Sequence, residues 1–188
     1  MNTNLTKLFA SVVLATLPCA GALAAPTVTF QGEVTSQTCS VEINGSTNSV
    51  VLLPTVALTD FGSTLAAGQT AGLTPFTVSV AGCTAPTADQ NITTQFLGYD
   101  VDSATGVLGN RNTGSTAASG FGIQLLSDST GDSGTEVTLN GITDVAGLVL
   151  SANETSASHE FAARYYSLGT DGTAGKITAV AEYTVSYL

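Results

Sequence analysis

The chain has 188 residues, 43% of them hydrophobic and only 10% charged, with a formal net charge of −10 at pH 7. With 14 acidic residues against four basic ones, it lacks the basic footprint that nucleic acid requires and is repelled by an anionic lipid surface. Its plentiful apolar residues separate it from acidic disordered segments, and a single histidine leaves little for metal or acid–base chemistry.

Residues 1–24 read as an export signal. Lys7 precedes an apolar run of about ten residues, and Ala22-Leu23-Ala24 supplies a small-residue cleavage site. The run is too short to span a bilayer, and the expected cut follows Ala24. Cleavage removes Lys7 and Cys19, leaving Arg111, Arg164 and Lys176 as cations and Cys39 and Cys83 as the cysteine pair. Two cysteines in an exported chain read as a disulfide, whose closure would contribute on the order of 4 kcal/mol; two buried free thiols are the alternative. The remainder is the size of one domain.

Residues 25–34 alternate. Pro26, Val28, Phe30, Gly32 and Val34 share one face, while Thr27, Thr29, Gln31 and Glu33 share the other. Further short apolar or alternating runs occupy residues 50–53, 76–80, 92–97, 121–126, 137–139, 148–150 and 161–166. Turn formers separate them: Asn44-Gly45, Ala81-Gly82, Asn140-Gly141 and the glycines around Asp171. Residues 100–120 read as a polar surface loop. Many short strands divided by turn signals, in a composition rich in Thr, Val and Ser, predict an all-β sandwich or barrel.

The strongest strand signal comes last, at residues 177–187. Ile177, Ala179, Ala181, Tyr183, Val185 and Tyr187 fall on one side and polar residues mostly on the other. The domain thus opens and closes on amphipathic strands. Alternation does not say whether the two pair with each other or with another molecule.

Candidate chemistry is sparse. His159, the sole histidine, stands beside Glu160 at a strand start, where a solvated edge residue is the favoured interpretation over a catalytic one. Asp100-x-Asp102 in a glycine-containing loop lacks the further ligands of a calcium loop. Asn-x-Ser/Thr triplets at Asn44, Asn91 and Asn153 are short enough to arise by chance. No phosphate loop or nucleophile elbow is present. The chain is expected to carry no catalytic, metal or cofactor site and not to be an enzyme.

The order of these features resembles the pilins of chaperone–usher fimbriae. The residues that carry the resemblance are Val28-Thr29-Phe30-Gln31-Gly32-Glu33-Val34 leading into Cys39-Ser40-Val41, then Gly82-Cys83, Phe161-Ala162-Ala163-Arg164-Tyr165-Tyr166, Gly175 fourteenth from the end and penultimate Tyr187. The likeness is greatest to major shaft subunits with a short arm, of the long-polar and uroepithelial kind. The resemblance implies an incomplete immunoglobulin-like β-sandwich lacking its last strand, completed by a strand from a periplasmic chaperone and then from a neighbouring subunit. It implies residues 1–24 as signal, 25–34 as donor arm and 35–188 as pilin domain. It makes Pro26, Val28, Phe30, Gly32 and Val34 the donor residues. Gly32 would sit where the groove is too shallow for a side chain. Tyr183, Val185 and Tyr187 would line the groove or contact the chaperone, Gly175 would turn the backbone into that strand, and the carboxylate of Leu188 would meet basic residues of the chaperone. The implied function is a structural subunit of the fimbrial shaft, assembled at an outer-membrane usher from identical or related subunits and exported through the periplasm to the cell surface. A single-domain adhesin or minor subunit binding a host receptor is the alternative.

Overall fold

The computed structural model describes Gly32, residues 34–37 and residues 39–187. Expectations for the signal segment, for Pro26, Val28 and Phe30, and for Leu188 lie outside the described residues.

Among the described residues, eight strands form two antiparallel sheets. They are β1 (Ser40–Ile43), β2 (Thr70–Ala81), β3 (Gln90–Gly98), β4 (Phe121–Leu126), β5 (Glu136–Val137), β6 (Ile142–Leu150), β7 (Ser156–Ser167) and β8 (Ala181–Ser186). One sheet runs β1-β2-β7-β4-β5 and the other β6-β3-β8. The long pair β2/β7 is the spine of the larger sheet, aligning Phe76 with Phe161 and Val80 with Ala157. In the smaller sheet, β3 holds β6 on one side and β8 on the other, with Phe96 opposite both Thr143 and Tyr183.

Period-two alternation sends one face of each strand into the space between the sheets. Along β2 the buried residues are Phe76, Val78 and Val80; along β3 they are Ile92, Thr94 and Phe96. Phe161 is the centre of the interior. Its ring stacks on Phe76 at 5.8 Å between centroids and takes Phe96 edge-on at 5.7 Å, geometries favoured by the aromatic quadrupole. A second apolar cluster of Val80, Cys83, Ile92, Leu148 and Leu150 closes the far end. There Cys39 and Cys83, 44 residues apart, form a disulfide with their Cα atoms 4.2 Å apart. It ties the root of β1 to the residues just beyond β2.

Several expected strands change extent. The run at 161–166 is the second half of a strand of 12 residues, which begins at Ser156. The run at 148–150 is the end of β6, which begins directly after the Asn140-Gly141 turn, where Gly141 takes a φ of +68°. Residues 50–53, expected as a strand, are extended but unpaired. Only the Ala181–Ser186 part of the last alternating segment joins a sheet. Residues 177–180 instead bond to loops: Arg111 N–H donates to Thr178 O at 2.7 Å and Tyr99 N–H to Val180 O at 3.0 Å.

Candidate functional site: an unpaired cleft

The Asn44-Gly45 dipeptide builds the first wall of the site. Both residues have positive φ (50° and 76°), which a tight two-residue hairpin turn requires. Ile43 and Ser46 exchange both backbone hydrogen bonds at 3.0 Å, and the Asn44 side-chain oxygen accepts from Thr77 N–H at 2.9 Å. Pairing then stops. Past a bend at residues 47 and 48, residues 49–56 run on with no backbone hydrogen bond among the described residues. Their side chains still alternate: Val51 and Leu53 pack on the core, while Val50 and Leu52 are 77% and 82% exposed.

Residues 177–183 build the opposite wall. Ile177, Ala179, Ala181 and Tyr183 all pack against the main core. The backbone bonds of Thr178 and Val180 point away from the first wall, to Arg111, Asn110 and Tyr99. The backbone groups of Ile177 and Ala179 have no hydrogen-bond partner among the described residues. Between the walls lies a cleft of about 490 Å³, floored by Phe76, Phe96, Ile123, Leu125 and Ala163. Two extended edges with unused backbone groups thus face each other across an apolar floor. Such an arrangement accepts one more strand, with main-chain bonds on both sides and alternate side chains directed inward.

The cleft continues past Tyr165, Ile177 and Thr178 into a second hollow of about 450 Å³, walled by Val56, Leu58, Phe61 and Phe121. A short 3₁₀ turn, Leu58–Phe61, holds Phe61 there, 5.0 Å from the Phe121 ring. Asp60 fixes the start of this turn by accepting from Ala57 N–H at 2.7 Å.

Tyr183 spans the cleft at its other end. Its ring packs on the core, and its hydroxyl donates to Thr47 O at 3.0 Å on the opposite wall. Burial, with the nearby Glu42 carboxylate second, pushes its hydroxyl pKa above the usual tyrosine value. Burial has the same effect on Tyr165.

Val185 and Tyr187 carry the same face onward, but onto the second apolar cluster beside the disulfide. Gly175 stands at the foot of the wall. A Cβ there would lie 2.4 Å from Ala118 N and 2.5 Å from Ala117 C, so it is close passage of the 117–118 backbone that demands glycine at this point. Val34 is fully exposed, and Gly32 has nothing within 4 Å of where a Cβ would be.

The remaining sequence candidates find structural roles. His159 Nε2 lies 2.8 Å from Ser127 O, and its ring meets Phe161 edge-on at 4.7 Å. Gly147 makes room for that ring, since a Cβ there would come within 2.5 Å of Nε2. Asp102 holds the loop beneath it: its Oδ1 accepts from Thr105 N–H at 2.9 Å and Thr105 Oγ1 at 2.7 Å, which lowers its pKa. Asp100 pairs with Arg111, whose guanidinium lies 5.4 Å from the centre of the Tyr99 ring. No group of three potential metal-ligating side chains occurs among the described residues.

Sequence reasoning missed residues 48–56 as one wall, together with the parts played by Phe61 and Tyr165 at the lower end. The alternation of residues 50–53 was visible, but the absence of a pairing partner is not a local property.

Two sheets packed face to face, with one strand position vacant between unpaired edges, define an incomplete immunoglobulin-like sandwich. A family model described as "Fimbrial protein" matches residues 28–188. The chain is 36% identical over 165 residues to the F17 fimbrial protein of Escherichia coli, covering 85% of this chain and 86% of that protein. It is 33% identical over 177 residues to the major fimbrial subunit SMF-1 of Stenotrophomonas maltophilia (strain K279a), covering 93% and 99% of the two. Among solved structures, the P pilus rod subunit PapA superposes with a TM-score of 0.56 at 16% identity, covering 80% of this chain and 99% of that one, a likeness of fold. The chain belongs to the fimbrial protein family.

Proposed function

We propose that this chain is a structural subunit of a fimbrial shaft whose residues 25–34 complete the cleft of the next copy. The observation that carries the reading is the apolar cleft between two unpaired edges, in a chain whose own amphipathic segment at 25–34 has the matching alternation. Pro26, Val28, Phe30, Gly32 and Val34 face inward as donor residues, and the exposed Val34 is free to enter a neighbour. Each subunit gives an arm and receives one, so the contact is head-to-tail and grows a filament. Burying Phe30 in a neighbour contributes about 2–3 kcal/mol, and the ladder of main-chain bonds adds to it.

Before assembly the cleft needs a temporary strand. A periplasmic chaperone supplies it, gripping the edge at Tyr183, Val185, Tyr187 and Leu188, and an outer-membrane usher directs the exchange. Residues 1–24 act as the export signal, and residues 35–188 form the pilin domain. The shortness of the arm before Gly32 supports grouping the chain with shaft subunits of the long-polar and uroepithelial kind.

Phe30→Asp or Gly32→Phe is expected to stop polymerisation while leaving a folded, chaperone-bound subunit. Heat-resistant filaments of normal length from either variant would overturn the donor-arm reading. Antibody labelling confined to fibre tips in electron micrographs would overturn the shaft position.

A further inference from the structure

We propose that a charge gradient along the cleft edge sets the direction and register of the incoming arm, with Glu33 of one copy pairing with Lys176 of the next. The inference rests on the donor-arm reading above and adds a specificity element to it.

Residues 25–34 carry a single charged side chain, Glu33. It alternates with Gly32 and Val34, so it faces outward when the apolar face of the arm enters the cleft. On the receiving edge Ile177, Ala179, Ala181 and Tyr183 point inward. Lys176, Thr178, Val180 and Glu182 therefore form the outward row. Cross-strand neighbours share a face, so Glu33 must lie beside this row. The other wall, residues 48–56, has no charged residue and does not discriminate.

The outward row starts positive and ends negative. Glu182 stands at its upper end, and Glu42 lies within electrostatic reach of Tyr183 there. Lys176 stands at its lower end, among the residues lining the second hollow. The other two cations of the domain are engaged, Arg111 with Asp100 and Arg164 with Glu136. The Lys176 ammonium has no hydrogen-bond or ion-pair partner among the described residues. Its backbone is nevertheless held: Lys176 N–H donates to Thr116 O at 2.7 Å, and its carbonyl accepts from Ala118 N–H at 2.9 Å and Asn110 Nδ2 at 3.0 Å.

These placements discriminate between arrangements. An arm antiparallel to the edge, with Val34 opposite Ile177, puts Glu33 opposite Thr178 and diagonal to Lys176. Diagonal neighbours lie about 7–8 Å apart, which two long side chains can bridge. A one-residue slip would turn the apolar face outward. A two-residue slip toward the top keeps the apolar face inward but sets Glu33 opposite Val180, beside Glu182. A parallel arm carries Glu33 to the acidic end. Hydrophobic patterning tolerates the last two arrangements, and charge repulsion opposes both.

The test uses the mature, disulfide-bonded chain refolded by dilution, with filament growth followed by light scattering and electron microscopy at low ionic strength. Circular dichroism verifies that each variant is folded. Glu33→Lys and Lys176→Glu are each expected to slow growth roughly three- to tenfold, the scale for reversing one exposed pair. The double variant should recover most of the rate, and high salt should flatten the differences. Single variants growing at the unmodified rate, or a double variant as slow as either single, would overturn the pairing. Phe30→Asp serves as the control: its growth at the unmodified rate would sink the donor-arm reading itself, whereas a failure confined to the charge variants sinks only the Glu33–Lys176 pair.

Discussion

Tyr183 gives the most informative single-site test, because it is the one described side chain that joins both walls of the cleft. Tyr183→Phe removes only the hydroxyl and its bond to Thr47 O, 3.0 Å long in the structure. A hydrogen bond of this kind contributes about 0.5–1.5 kcal/mol net, and its partly exposed position places it toward the lower figure. Tyr183→Ala also removes the half-buried ring from the core face and should cost about 2–4 kcal/mol in total. Urea unfolding of the mature chain, followed by circular dichroism, measures both. With a slope near 1–3 kcal/mol per molar urea, the phenylalanine variant shifts the midpoint by roughly 0.2–0.5 M, and the alanine variant shifts it severalfold more. Adding a peptide of residues 25–34 should shrink the phenylalanine effect, since an inserted strand bonded to both walls takes over the task of joining them. Equal losses for the two variants would refute the view that the ring and the hydroxyl act separately. An unchanged phenylalanine effect with the strand bound would refute that joining role.

Replacing Cys39 and Cys83 by serine opens a loop of 44 residues, which chain-entropy arithmetic equates to about 4 kcal/mol; a urea midpoint within error of the disulfide-bonded chain would contradict it. Gly147→Val should destabilise by several kcal/mol, because the new side chain would collide with the His159 ring and the backbone at φ +133° disfavours any side chain; Gly45→Val, with nothing within 4 Å, separates strain alone from collision. The carboxyls of Asp102, Asp128 and Glu136 are held below their ordinary values, chiefly by hydrogen bonds from Thr105, from Thr130 and from the backbone amide of Glu136 itself. A depressed folded-state pKa contributes stability above the unfolded value and loses it as pH falls through the folded one, so the urea midpoint should hold at neutral pH and drop below about pH 4; Asp102→Asn should reduce that drop, and an acid profile unchanged by it would exclude Asp102 as a contributor.

Much of this protein follows from local residue chemistry. The expectation of an export signal rests on Lys7, the apolar run after it and Ala22-Leu23-Ala24, without reference to any fold. Asn44-Gly45 and Asn140-Gly141 announce tight turns, because few other residues tolerate positive φ, and both glycines adopt it. Period-two alternation assigns Phe76, Val78 and Val80 to the interior, since successive strand residues face opposite sides whatever the partner strand. The inward face of Ile177, Ala179, Ala181 and Tyr183 was legible for the same reason. With Cys19 assigned to the expected signal, Cys39 and Cys83 were the pair expected to join, and the structure joins them.

Which strands become neighbours is a different matter, because a backbone hydrogen bond is made with residues far away in the chain. Alternation reads the same for residues 78–80, which pair on both sides, as for residues 50–53, which pair on neither. Gly147 and Gly175 look like ordinary glycines until the His159 ring and the 117–118 backbone are seen against them. The vacancy between the two walls belongs to the same class. It is a missing partner, defined only once every other strand has been placed, and so tertiary structure alone turned an amphipathic pattern into a cleft.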